Sequence, residues 1–317
     1  MSIPASAKYS IIQEMTQRDN NLLNISWLCE VAQVSRSGYY SYQKAEKLRL
    51  QREAQDYNDF LLIARAYKYR GFNKGARGIY MRFLHMVPPV HMNIKKIRRL
   101  MKKYELYCPI RRANPYRRMA RIAKTDNYAP NLVNREFEDH GPRAILLTDI
   151  TYIINGKAPR CYMSTIIDGC TKELLAWVLS ESLEVDFVLE TVQQLIDNHG
   201  ESLTTNSIYH SDQGSTFSAI KLIDLLNDYD LRRSMSRRAN CWDNAPQESF
   251  YGHMKDDIDI TECETFDEIY QVINDWVDYY NNERYQWDLA KLSPKEYHEY
   301  IKTGIYPLEI PKPKGRK

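Results

Sequence analysis

The chain has 317 residues, of which 43% are hydrophobic, and this length is sufficient for two or three compact domains. It contains no apolar run long enough to cross a bilayer and no signal-peptide pattern, which excludes a membrane partner and predicts a cytoplasmic protein. Its six cysteines lie far apart without a Cys-x-x-Cys pair, which argues against both a disulfide framework and a thiolate zinc site.

The net charge is only +3, but its distribution along the chain is uneven. Residues 1–130 carry a net charge of +16, and residues 131–317 carry −13. Positive charge is concentrated further in residues 61–124, where tyrosines are interleaved with lysines and arginines. A basic run of this length with interleaved aromatic side chains favours a polyanion-binding surface, so nucleic acid is the leading candidate partner.

The first predicted unit, residues 1–60, contains two short helices within residues 25–44, capped by Ser26 and Ser35. This rhythm is typical of a helix-turn-helix, whose second helix can enter the major groove of DNA. Arg36, at the start of that second helix, is a candidate DNA contact. A small helical hairpin gives the same pattern without binding DNA, so the pattern alone leaves both interpretations open.

The second predicted unit, residues 61–124, is a basic helical module that begins at the end of a long polar helix at about 45–67. It contains a helix over residues 76–86 and then a helix capped by Asn93, which has one apolar stripe. Lysines and arginines cover the rest of this helix. They could be merely solvated, although their number favours phosphate contact. A linker is predicted at residues 125–143. The candidate DNA-binding residues of the two helices are Arg77, Lys95, Lys96, Arg98, Arg99, Lys102 and Lys103.

The pattern changes at residue 144, where the run "AILLTDITYII" indicates a buried strand. Two further strands, "RCYMSTIID" and "KELLAWVLSES", precede a helix at about 185–198. The strand "SIYHSDQG", the helix "AIKLIDLLNDY" and the strand "RRSMS" follow, before a helix that contains "APQESFYGHMK". This order predicts an α/β domain with a mixed sheet over residues 144–262. Residues 263–317 form the last predicted unit, with an amphipathic helix at 265–282 and a tail.

Three acidic residues of the α/β region are candidate functional groups. Asp149 lies in the middle of an apolar strand, where a carboxylate is costly to bury unless it is paired, hydrogen-bonded or bound to metal. Asp212 ends a predicted strand, and functional groups collect at strand ends in α/β sheets. Glu248 lies in the first turns of a later helix, and 35 residues separate it from Asp212.

The helix that contains Glu248 has a proline, Pro246, in its first turn, where a missing N–H does no harm. Asp243 or Asn244 is expected to cap this helix. Lys255 lies two turns after Glu248 on the same face and could hold a substrate phosphate. An exposed Glu/Lys face is the alternative, and the helix taken alone favours it. Arg237 and Arg238 are two further candidate DNA contacts. The interpretation as ordinary solvated arginines is nearly as well supported.

Several ordered motifs in the chain carry a family resemblance. They resemble the OrfB transposase of bacterial insertion sequences of the IS-three family, and the resemblance covers nearly the whole chain. The spacing of Asp149, Asp212 and Glu248 resembles the DD(35)E signature of the retroviral-integrase superfamily. The motifs are "SWLCEVAQVSRSGYYSY", "NIKKIRRLMKKYEL", "TDITYI", "IIDGCTKE", "YHSDQGSTF", "SMSRRANCWDNAPQESFYGHMK" and "YYNNERYQWDLAKLSP".

The resemblance implies an α/β, ribonuclease-H-like integrase catalytic core with a mixed five-stranded sheet and flanking helices, preceded by an all-α helix-turn-helix region. It implies a DDE transposase, a polynucleotidyl transferase that cuts and joins DNA. Asp149, Asp212 and Glu248 would bind two Mg²⁺ ions, for which Mn²⁺ could substitute, with Asp149 bridging both ions.

The same resemblance implies the partners of the chain. These are the terminal inverted repeats of an insertion sequence and the target DNA, bound by a homo-oligomer associated with the bacterial nucleoid. The upstream OrfA product, or a frameshift fusion with it, is a further implied partner.

Two other functions are compatible with the residues alone. A ribonuclease-H-type nuclease would have the same acidic cluster but would cleave DNA without joining it. A catalytically silent DNA-binding regulator would use the basic helices and keep the α/β core for assembly. A strand-transfer assay with a pre-cleaved 3′ end distinguishes the nuclease, and metal-dependent nicking distinguishes the regulator.

Overall fold

The computed structural model describes residues 3–18, 22–71, 74–109, 129–154, 157–237 and 241–309. Most of the predicted linker lies within these ranges, whereas the arginine-rich end of the basic module lies outside them. None of the helices in the described ranges is long and apolar enough to span a bilayer.

Three short helices come first in the chain and pack together. Their shared buried cluster includes Ile12, Leu28 and Tyr39. The two helices predicted within residues 25–44 are confirmed as helices, and their DNA-binding role stays a prediction. The three helices are α1 (Ala5–Thr16), α2 (Ile25–Val31) and α3 (Arg36–Lys44).

The caps of α2 and α3 test the predicted serines. Ser35 caps α3 as predicted, because its hydroxyl accepts a hydrogen bond from the amide of Gly38. The prediction for Ser26 is wrong, because Asn24 caps α2 and its side chain accepts a hydrogen bond from the amide of Ser26. The extended backbone of Asn24 places its side chain at the helix end, so α2 begins before Ser26.

Three further helices form the second helical unit. They bury a common apolar cluster that includes Ile63, Phe83 and Leu100. Asn93 caps the last of them as predicted, because its side chain accepts a hydrogen bond from the amide of Lys95. The helices are α4 (Glu46–Tyr67), α5 (Ala76–Leu84) and α6 (Ile94–Lys103).

The α/β region has the predicted mixed sheet of five strands, in the order β3-β2-β1-β4-β5. β1 pairs antiparallel with β2, which pairs antiparallel with β3. β1 also pairs in parallel with β4, which pairs in parallel with β5. The strands are β1 (Ile145–Ile153), β2 (Cys161–Asp168), β3 (Leu174–Ser180), β4 (Ile208–Ser211) and β5 (Arg232–Met235).

Helices cover both faces of the sheet. Leu146 packs with α7 and α8 in one buried cluster, whereas Leu147 packs with α9 and α10 in another. Successive side chains of a strand point to opposite faces. The first three residues of β1, residues 145–147, are all apolar because both faces are buried there. The sequence patterns did not predict α1 or α11. The helices are α7 (Asp186–His199), α8 (Ile220–Asp228), α9 (Ala245–Asp257), α10 (Phe266–Asn282) and α11 (Pro294–Thr303).

The second helical unit contacts residues 283–292, the segment between α10 and α11, which we call the connector. The Nε atom of Arg70 donates a hydrogen bond of 2.9 Å to Glu283. The ring of His85 stacks on Tyr285 with 3.5 Å between ring centroids and 11° between planes. On the other side, Arg284 donates a 3.2 Å hydrogen bond to Asp257 at the end of α9. The connector therefore joins the basic helices to the α/β core.

We expect a buried ion-pair network at the start of β1 to be essential for folding stability. Arg143 donates hydrogen bonds of 3.0 Å to Asp168 and 2.7 Å to Glu173, and all three residues are buried. Replacement Arg143→Leu should lower the free energy of unfolding by about 3–5 kcal/mol, because two buried carboxylates lose their cation. Urea denaturation measures this loss. The exposed Arg160→Leu change is the control and should stay within about 0.5 kcal/mol, and equal losses in both variants would contradict the prediction.

Candidate active site

The two aspartates of the candidate site belong to neighbouring parallel strands, with Asp149 within β1 and Asp212 directly after the end of β4. In the β1–β4 register, Leu147 lies opposite His210. Asp149 and Asp212 each follow by two residues, so they reach the same level of strands that are roughly 4.8 Å apart. The two-residue alternation also places Asp149 on the sheet face of Leu147, which is covered by α9 and α10.

Helix α9 runs beside β1 and holds Glu248 there. The side-chain amide of Asn244 donates a 3.2 Å hydrogen bond to the carbonyl of Thr148. One turn beyond Glu248, the hydroxyl of Tyr251 donates a 2.6 Å hydrogen bond to the carbonyl of Asp149. Glu248 lies four residues after the first anchor and three before the second, so all three share the helix face that lies along β1.

Asp149 is affected by burial and by the charges of several neighbours. Burial is the largest cause that raises its pKa to about 8, and the negative charges of Asp212 and Glu248 contribute to this rise. The backbone amide of Ile150 and the positive charge of Lys255 oppose this rise. Burial also raises the pKa of Asp212. Residues from two strands and one helix therefore act on a single carboxyl group.

The aspartates turn towards their own backbone in this structure. The Oδ1 atom of Asp149 accepts a 2.8 Å hydrogen bond from the amide of Ile150, and Oδ1 of Asp212 accepts one of 2.8 Å from Gly214. A Cβ atom at residue 214 would lie 2.9 Å from that oxygen of Asp212, so glycine permits this close approach.

Whether the residues fit a metal ion follows from their charge and their arrangement. Within the described residues, no three histidine, cysteine, aspartate or glutamate side chains are grouped closely enough to hold an ion. The predicted pocket in which Asp149, Asp212 and Glu248 hold metal ions therefore stays a prediction. The donor set nevertheless fits Mg²⁺, since all three groups supply hard oxygens and their repulsion raises the pKa of Asp149.

Lys255 lies beside the candidate carboxylates. Its Nζ atom donates a hydrogen bond of 2.5 Å to the hydroxyl of Thr151, two residues after Asp149 on β1. Its positive charge lowers the pKa of Asp149 and so favours the ionised carboxylate. The predicted pairing of Glu248 and Lys255 on one side of α9 therefore places a cation at the site.

Arg237 has a structural partner that the sequence did not predict. Its guanidinium donates two hydrogen bonds of 2.8 Å to the carboxylate of Asp243, which also accepts one of 2.9 Å from Arg135. Arg237 and Arg135 together hold the pKa of this buried carboxyl well below its usual range. A DNA contact by Arg237 stays a prediction, and Arg238 lies outside the described residues.

The predicted cap of α9 is only partly right. Asn244 occupies the N-cap position and Pro246 lies in the first turn, as expected. Neither candidate side chain makes the capping hydrogen bond, however, because Asp243 binds arginine and Asn244 binds the carbonyl of Thr148. Their side chains fix α9 against its neighbours instead.

A buried polar network beneath the site was missed by the sequence analysis. The hydroxyl of Tyr251 lies 2.6 Å from that of Thr165 on β2, and the amide of Gln247 also donates a hydrogen bond to Thr165. The available signal was the polar pair Ser164 and Thr165 inside an otherwise apolar strand, since buried polar groups require partners.

The candidate DNA-binding residues outside the core have varied surroundings. Arg36 is exposed, and its guanidinium donates a 3.3 Å hydrogen bond to the hydroxyl of Ser26. Arg77 is also exposed, with its guanidinium carbon 5.3 Å from the ring centroid of Trp287 in the connector. On α6, three basic residues pair with acidic residues of α4, namely Lys96, Arg99 and Lys103. The other three, Lys95, Arg98 and Lys102, are exposed.

Comparisons with known proteins show to which family this chain is similar. Two family models described as Integrase core domain match residues 139–241 and 248–300. The InsK protein for insertion sequence element IS150 of Escherichia coli K12 is 30% identical over 212 residues, covering 65% of this chain and 71% of InsK. Transposase InsF for insertion sequence IS3A of the same organism is 24% identical over 236 residues, covering 73% of this chain and 78% of InsF. The HTLV-2 integrase catalytic core domain, solved in complex with magnesium, gives a TM-score of 0.36 at 12% identity and covers 50% of this chain and 97% of that chain.

The chain is thus a transposase of the integrase superfamily, with a catalytic core of the integrase type. It belongs to the IS-three family of insertion-sequence transposases.

The raised pKa of Asp149 predicts a pH-dependent loss of stability in the metal-free protein. Between about pH 4 and pH 8 the unfolded state ionises this carboxyl while the folded state keeps its proton, so stability falls as pH rises. Replacement Asp149→Asn should therefore raise the free energy of unfolding at pH 7 by about 1–2 kcal/mol, or ~2–6 °C in melting temperature, with little effect at pH 4.

Thermal melts at pH 4 and pH 7 with a chelator present measure this difference. Asp224→Asn, which changes an exposed carboxylate of α8, is the matched control and should have a much smaller effect. A destabilised Asp149→Asn variant at pH 7 would contradict a raised pKa of Asp149 in the folded protein.

Proposed function

We propose that this transposase cleaves DNA strands at the ends of an insertion sequence and transfers them to new DNA, with Asp149, Asp212 and Glu248 as its catalytic carboxylates. The observation that carries the proposal is the raised pKa of Asp149, to which the charges of Asp212 and Glu248 both contribute. Acidic groups from separate elements that share one site repel one another, and this repulsion opposes folding. A cluster that persists despite this cost is typical of a functional site.

The three carboxylates would hold two Mg²⁺ ions, or Mn²⁺ in their place. Bound at this site, such a pair of ions supplies an activated attacking oxygen and stabilises the leaving oxygen of the phosphodiester. The charges of Asp212 and Glu248 both contribute to the raised pKa of Asp149, so Asp149 would hold the ions together with these two residues. Lys255 would hold a phosphate of the substrate beside them.

The DNA partners would be the terminal inverted repeats and the target DNA, and a homo-oligomer would assemble on them. Residues 1–60 and 61–124 would serve as DNA-binding units, with Arg36 and Arg77 among their contacts. Residues 144–262 would supply the catalytic core, with Arg237 beside the substrate strand. The upstream OrfA product, or a fusion with it, would take part in assembly.

Carboxylate substitutions test the proposed chemistry. Asp149→Asn, Asp212→Asn and Glu248→Gln should each reduce Mg²⁺-dependent cleavage by at least about 100-fold, equivalent to ~2.7 kcal/mol in activation free energy. Gel assays on a duplex with a candidate element end measure cleavage, and the same assays with a pre-cleaved 3′ end measure joining. Asp224→Asn should retain both activities.

Two outcomes would overturn this proposal. Cleavage that survives all three carboxylate changes would remove the assigned site. Cleavage by the wild-type protein without any joining of the pre-cleaved 3′ end would indicate a nuclease instead of a strand transferase.

A further inference from the structure

The six basic residues of α6 fall into two sets, each at helical spacing. Lys96, Arg99 and Lys103 follow one another at three and four residues, and so do Lys95, Arg98 and Lys102. The two sets are one residue out of step, so they lie on different parts of the helix surface. Their surroundings differ accordingly.

The first set, Lys96, Arg99 and Lys103, forms a row of ion pairs with acidic residues of α4, which we call the zipper. Arg99 donates two hydrogen bonds of 2.7 Å to the carboxylate of Asp56, and Lys103 donates one of 2.7 Å to Glu53. Lys96 pairs with Asp59, which is buried. Arg99 and Lys103 hold the pKa of Asp56 well below its usual range, so this carboxylate is charged at neutral pH. The positive charges of this set are therefore neutralised within the protein.

The second set has no such partners. Lys95, Arg98 and Lys102 are exposed, and none of their side chains makes an ion pair or hydrogen bond with the rest of the described chain. The opposite side of α6 is fixed, because Ile97 and Leu100 are fully buried in the cluster shared with α4 and α5. The helix therefore cannot turn to offer its paired side chains in place of the exposed ones.

We propose that Lys95, Arg98 and Lys102 form a phosphate-contact stripe that binds one strand of the DNA substrate. Lys95 and Lys102 are seven residues apart, which is about 10.5 Å along a helix at 1.5 Å per residue. One strand of B-DNA presents a phosphate about every 3.4 Å along the duplex axis, so the stripe spans roughly three phosphates. The stripe rests on the proposed function only in taking DNA as its ligand.

The stripe is also attached to the catalytic core. α5 shares the buried cluster of α6, and Arg82 on α5 donates a 3.2 Å hydrogen bond to the hydroxyl of Tyr285 in the connector. Arg284 of the connector binds Asp257 at the end of α9, the helix that carries Glu248. DNA held by the stripe is therefore anchored to the body that contains the candidate site.

Salt titrations of DNA binding with full-length protein test this assignment, using a chelator so that no cleavage occurs. The change of Lys95, Arg98 and Lys102 to glutamine should flatten the slope of log affinity against log salt by about 2.7, or ~0.9 per contact. The matched change of Lys96, Arg99 and Lys103 to glutamine removes the same charge, yet it should leave the slope within ~0.9 of wild type and lower the melting temperature. Fluorescence anisotropy with a labelled duplex measures both slopes.

Single substitutions at two neighbouring residues keep the test valid if the triple variant of Lys96, Arg99 and Lys103 does not fold. Arg98→Gln should flatten the slope by ~0.9 without changing the melting temperature, whereas Arg99→Gln should do the reverse. If Arg98→Gln and Arg99→Gln flatten the slope equally, bulk charge binds the DNA. If Arg98→Gln does not flatten the slope, the proposed stripe does not contact phosphates. Binding is measured with a chelator and cleavage is measured with Mg²⁺, so failure of the stripe and failure of the catalytic proposal are seen separately.

Discussion

The repulsion between carboxylates around Asp149 is the constraint on which the rest of this structure depends. A parallel pairing of β1 with β4 places Asp149 and Asp212 side by side, and hydrogen bonds from Asn244 and Tyr251 hold the helix of Glu248 along β1. Each of these contacts brings negative charge towards buried Asp149, and its burial together with this charge raises its pKa. The packing of the sheet and of α9 stabilises an arrangement that the charges themselves oppose.

The supporting contacts extend from this site to the basic helices. Beneath α9, Tyr251 and Gln247 bind Thr165 in the middle of the sheet, so the helix is fixed by polar contacts as well as by apolar packing. At its far end, Asp257 accepts hydrogen bonds from Trp276 of α10 and Arg284 of the connector. The connector in turn contacts α5, so the motif "YYNNERYQWDLAKLSP" joins the basic helices to the α/β core.

Much of this fold could be predicted from local pattern, and several of the misses depend on contacts that local pattern does not contain. The five strands, Asn93 as a cap and Pro246 in a first turn follow from signals within a few residues. The engagement of Arg237 by Asp243 and the division of the α6 lysines and arginines depend on partners distant in sequence or in another element. The order of Asp149, Asp212 and Glu248 indicated a shared site, but the hydrogen bonds that Asp149 and Asp212 accept from the amides of Ile150 and Gly214 could not be derived from their spacing.

A crystal structure of the protein grown with Mn²⁺, with anomalous data, tests the central claim most directly. The account predicts anomalous peaks bounded by Asp149, Asp212 and Glu248, with the two aspartates released from the amides of Ile150 and Gly214 to ligate the ions. Peaks located elsewhere, or three carboxylates that stay in their present hydrogen bonds at saturating Mn²⁺, would contradict it.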